Sequence, residues 1–171
     1  GLGHTQINLD QLYIIESTFA FEVSNVPIMF QIAVSEGETL LRDDLASVST
    51  LYPASAFASS VGKIRGKVFL SDGVTPFQGA NVIARNVATP LVEAVSSVSG
   101  FLYIDPSDPS LGGSSNQNFI GFYEITGLQP GEYIVSVEQI DVRFSGGSSV
   151  GALQEAVALP GIPEFYNVNE S

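Results

Sequence analysis

The chain of 171 residues has no cysteine, no tryptophan, one histidine and one methionine, and it sets only six Lys+Arg against eighteen Asp+Glu. Without cysteine there is no disulfide framework, no thiolate zinc site and no cysteine nucleophile. The sole histidine, His4, lies in no nucleophile motif, and G-x-S-x-G does not occur, so Ser/His/Asp catalysis has no support. A formal net charge of −12 repels phosphate backbones and anionic membranes, which excludes nucleic acid as a partner class. No stretch approaches the roughly 20 consecutive apolar residues of a membrane span, so none is expected.

The opening residues, Gly1-Leu2-Gly3-His4, carry neither a basic nor an apolar leader region, and the chain reads as starting inside a longer polypeptide. The lack of cysteine places it best among extracytoplasmic bacterial proteins, secreted or at the cell surface. Hydrophobic residues make up 44% of it, an ordinary share for a globular protein, and a chain of this size buries ~70% of its unfolded surface.

Composition changes near Ser59-Ser60. Residues 1–58 hold one basic residue, Arg42, and seven acids, whereas the remainder holds five basic and eleven acidic residues. The small-residue stretch from Ala54 to Ser60 reads as a linker. Before it, Leu41, Leu45, Val48, Leu51 and Tyr52 recur at helical spacing, with Asp43 and Asp44 at the positive dipole end. One amphipathic helix is expected over about residues 40–52, stopped by Pro53, in a front segment that is otherwise irregular. Apolar faces left bare there would favour dimerisation.

After the linker the pattern has period two. Lys63 to Leu70, Ala80 to Arg85, Leu91 to Val98, Phe119 to Ile125 and Glu132 to Ile140 read as strands, with a turn at Ser71-Asp72-Gly73. Pro130-Gly131 suits the two central positions of a type II turn. Short strands between turn signals, without helical periodicity, predict a β-sandwich with Val82, Ala84, Tyr123, Ile125, Leu128, Tyr133, Val135 and Val137 in its core. Residues 101–118, rich in Asp, Ser, Pro and Gly, form an insertion at one end, and the tail after Asp141 lies extended over the sandwich.

Two resemblances follow from these residues. Ile64-Arg65-Gly66-Lys67-Val68, Gly79-Ala80-Asn81-Val82 and the run from Gly121 to Val135 (GFYEITGLQPGEYIV) resemble the carboxypeptidase regulatory-like domains, a transthyretin-like or prealbumin-like group. That resemblance, over about residues 61–140, implies a mainly β, Ig-like sandwich of about seven strands without catalytic residues. It assigns residues 59–171 to the sandwich, with a closing strand falling after Ser171. The front, residues 1–58, is similar to the C-terminal end of a metzincin zinc peptidase. Gly1-Leu2-Gly3-His4 matches the end of H-E-x-x-H-x-x-G-x-x-H, Pro27-Ile28-Met29-Phe30 resembles the Met-turn, and residues 41–53 resemble the closing helix.

This second resemblance implies His4 as one zinc ligand and Met29 beneath the metal in an intact parent protein. A catalytic zinc takes about three protein ligands and a general base, and this chain has one histidine, so no zinc is expected in the chain alone and no cleavage by it. In isolation His4 reads as an exposed terminal residue and Met29 as an apolar filler. Asp105 and Asp108, with Asn116 and Asn118, offer oxygen ligands for calcium, but two acids are few and Asp-Pro pairs are also plain turn formers. Lys63, Arg65 and Lys67 form a basic stripe on one strand face, fit for an acidic partner, for the front segment of the chain or for the solvated face of an edge strand.

The expected function is that of a non-catalytic C-terminal part of a secreted bacterial zinc metallopeptidase, its sandwich serving as an accessory or positioning domain. The rivals are a module binding carbohydrate or protein through Phe101, Tyr103, Phe119 and Phe122, and a structural spacer of a cell-surface protein. The absence of tryptophan counts against sugars.

Overall fold

The computed structural model describes residue 7 and residues 25–28, 39–104, 106 and 114–138. Two helical pieces, α1 (Arg42–Leu51) and α2 (Phe57–Ser60), precede five strands: β1 (Gly62–Lys67), β2 (Asn81–Asn86), β3 (Ala94–Val98), β4 (Phe122–Leu128) and β5 (Tyr133–Glu138). A 3-10 turn, Gln117–Phe119, leads into β4. All strand pairs are antiparallel, in two sheets ordered β1-β4 and β3-β2-β5.

The period-two pattern puts alternate residues of every strand into one shared interior, the arrangement of a β-sandwich. Val82 and Ala84 of β2, Val95 of β3, Tyr123, Ile125 and Leu128 of β4 and Val135 of β5 form a single buried cluster, against which Tyr133 and Val137 are packed partly buried. Five strands are found among the described residues where about seven were expected, and the tail after Asp141 lies outside those residues.

Several local expectations change. The stretch read as a linker contains the short helix α2. Phe119 belongs to the 3-10 turn rather than a strand, and β3 begins at Ala94 rather than Leu91. Strands β4 and β5 do not form a hairpin: they lie in opposite sheets, so residues 129–132 pass from one layer to the other. Gly131 is not among the positive-φ glycines, so a type II turn is not formed there. The Tyr133 hydroxyl closes this connection by donating to the Gln129 carbonyl at 2.9 Å. What Gly131 supplies is space, because a Cβ would stand 2.6 Å from the Asn86 amide nitrogen. The turn at Asp72 forms as expected. Its carboxylate accepts from the Thr75 hydroxyl and from the Thr75 and Val74 amides, which hold its pKa below the usual carboxylate range.

The orientation of α1 is the largest departure. Of the apolar residues at helical spacing only Leu41, the N-cap, is buried; Leu45, Val48, Leu51 and Tyr52 are 39%, 42%, 48% and 78% exposed. The buried face carries Asp43, Asp44 and Ala46 instead. Ala46 belongs to the sandwich core. It faces Gly127, whose φ of 91° accompanies a register shift in the β1–β4 ladder between Gly62 and Lys63. This is a bulge carried by a left-handed glycine. A Cβ on Gly127 would lie 2.6 Å from the Ala46 Cβ, so helix and strand meet where neither has bulk.

We expect Gly127→Ala to destabilise the fold by about 2–4 kcal/mol, combining backbone strain with overpacking. Ala46→Gly costs about 1 kcal/mol alone, but introduced beside Gly127→Ala it recovers part of that loss by removing the clash. Urea unfolding midpoints of the four proteins in this cycle test the contact.

Candidate functional site

His4, Met29, Asp105 and Asp108 lie outside the described residues. Among the described residues no group of three His, Cys, Asp or Glu is placed to hold a metal. With one histidine and no cysteine, the donor set of this chain does not by itself make a catalytic zinc site, and no chemical step is derived through zinc. Asn116, offered for calcium, has its side-chain oxygen engaged: it accepts from the Asn118 amide at 3.0 Å and caps the 3-10 turn.

The insertion has a defined base. Ile104 N–H donates to Ser114 O at 3.0 Å and Ser114 N–H to Leu102 O at 2.9 Å, joining Tyr103 and Ser114 in an isolated parallel bridge. Gly100, at φ 81°, turns the chain out of β3 and donates to Phe122 O at 2.7 Å; a Cβ there would collide with Gln78. Gln78 in turn accepts from Gly121 N–H at 2.6 Å. These bonds draw the ends of β3 and β4 together and so gather aromatic residues far apart in sequence.

Phe101 stacks on Phe122 with centroids 6.5 Å apart, and Phe119 meets Phe122 edge-on at 5.8 Å. All three rings and Tyr103 are half-buried. Phe122 is thus the centre of a small aromatic surface at the insertion end, with the geometries that ring quadrupoles favour. The residue types were legible in the sequence; the central place of Phe122 was not, since it depends on β4 beginning beside Gly100.

A second polar construction joins α1 to the sandwich. Arg42 makes two bonds to Glu93, Nε to Oε2 at 2.7 Å and Nη2 to Oε1 at 3.0 Å, and this pairing raises the guanidinium pKa further. Asp43, 4% exposed, accepts from Ser96 N–H at 2.8 Å and from its hydroxyl at 3.2 Å. Asp44, 1% exposed, accepts from Leu41 N–H at 3.0 Å and Ile28 N–H at 3.1 Å. Helical spacing marked these acids only as first-turn residues; their partners are set by docking.

Comparison with family models, curated proteins and solved structures finds no match to this chain. Among the described residues no helix is long and apolar enough to cross a membrane.

Phe122→Ala should cost about 2 kcal/mol, because the ring contacts both other rings, and Phe101→Ala about 1 kcal/mol. Chemical denaturation measures both, and equal losses would contradict a cluster centred on Phe122.

Proposed function

We propose that this chain is the non-catalytic C-terminal part of a secreted bacterial zinc metallopeptidase, with the sandwich as an accessory domain. In this reading the sandwich has about seven strands. Zinc belongs to the parent protein, where His4 supplies one ligand and Met29 lies beneath the metal. The observation that carries the reading is the two-faced helix α1. Its polar and alanine face is committed to the sandwich, while Leu45, Val48, Leu51 and Tyr52 point away from it. A helix apolar on the side opposite its docked face has a second packed body to serve. The catalytic body is that partner in this proposal, and the helix couples the two.

The zinc-loaded chain should leave casein intact, and release of casein fragments by pure material would overturn the non-catalytic assignment. The reading frame upstream of Gly1 should encode H-E-x-x-H, its second histidine three residues before Gly1. Any other sequence there removes the peptidase parent.

The aromatic surface around Phe122 favours a second reading, a binding module for carbohydrate or protein at the insertion end. On a glycan array or in a partner pull-down, specific capture that Phe101→Ala weakens at least about tenfold would support it, a loss of about 1.4 kcal/mol. No capture would leave the accessory reading alone.

A further inference from the structure

The two long sides of the sandwich are finished differently. Helix α1 packs against β4 and β3, and Asp43 covers the free edge of β3 by accepting from Ser96 N–H. Given the sheet orders, β1 and β5 lie on the side away from α1. The core thins toward β1: Tyr123, Ile125 and Leu128 of β4 are buried, whereas Ile64 of β1 and Val68, just past its end, are only partly so.

The ladder identifies which groups line this edge. Val68 N–H donates to Gly121 O at 2.9 Å, and bonded pairs alternate in an antiparallel ladder. Ile64 and Gly66 are therefore the bonded partners of Ile125 and Tyr123, and the N–H and C=O groups of Lys63, Arg65 and Lys67 point outward from β1. No backbone hydrogen bond beyond the β1–β4 ladder is made by these three among the described residues. Their side chains share the outer face, opposite the face of Ile64 and Val68. Lys63 pairs with Glu124 at 3.0 Å, while Arg65 and Lys67 make no ion pair among the described residues.

We propose that the open edge of β1 is a strand-addition site for an extended segment of a separate polypeptide in which acidic and apolar residues alternate. Outward backbone groups supply the ladder, Ile64 and Val68 receive the apolar side chains, and Lys63, Arg65 and Lys67 receive the acids. A second copy is disfavoured, because β1 against β1 sets two rows of cations face to face. The cations thus act as a filter, deterring self-pairing while admitting an acidic strand. The net charge of −12 does not cancel this preference, since the Debye length is about 8 Å at physiological salt and the nearest charges decide. The proposal does not depend on the peptidase reading.

The test titrates the full chain with an eight-residue peptide alternating valine and glutamate, and with its valine–lysine counterpart, following amide resonances of β1. The glutamate peptide should shift and protect the amides of Lys63, Arg65 and Lys67, and the lysine peptide should bind at least about tenfold more weakly. Arg65→Glu/Lys67→Glu, whose changes lie on the solvent face, should invert that preference. Equal affinity for both peptides, resonance changes confined to residues outside β1, or dimerisation through β1 would each overturn the proposal. The wild-type titrations stand even if the variant fails to fold.

Discussion

Much of this structure hangs on the approach of Ala46 to Gly127. A helix rests this close to a strand only where the side chains between them are minimal, and the bulge turns the strand to allow it. With Ala46 seated in the core, the first turn of α1 is carried to the edge of β3, where Arg42 meets Glu93 and Asp43 meets Ser96. Burial supplies most of the stabilisation here. Each polar contact adds about 1 kcal/mol, but its directional geometry sets the rotation of the helix.

That rotation gives the molecule two unlike surfaces. The side under α1 is finished: a helix covers the sheet edge, and buried acids occupy donors that would otherwise face solvent. The apolar stripe of the same helix is turned outward, and on the opposite side of the sandwich the outer backbone groups of β1 meet no strand among the described residues. On the outer face of the second sheet Ile7 is buried against Ile83 and Ala94.

Strands β1, β2, β4 and β5 were legible because alternation over Ile64, Val68, Val82, Ala84, Tyr123 and Ile125 records a half-buried pleat directly. The extent of α1 was legible for the same reason, its period being written in Leu45, Val48 and Leu51. Which face of that helix packs was not, because periodicity locates a stripe and says nothing of its surroundings. Pro130-Gly131 is a turn signal shared by several turn types and by connections between sheets, and only the positions of Asn86 and Gln129 select among them. The aromatic surface was half legible: the four residues stand near the insertion, but their grouping around Phe122 needs the closure between Gly100 and β4.

The sequence by itself determined the strand-rich class, the place of the helix and the absence of cysteine chemistry, because these follow from local period and composition. Only the tertiary structure decided that Asp43 and Asp44 are buried while Leu45, Val48 and Tyr52 are bare, that β4 and β5 belong to opposite sheets, and that β1 has no second strand partner among the described residues. Each of these depends on which surfaces meet across tens of residues, and a contact between Ala46 and Gly127 leaves no mark on either residue's immediate neighbours in the chain.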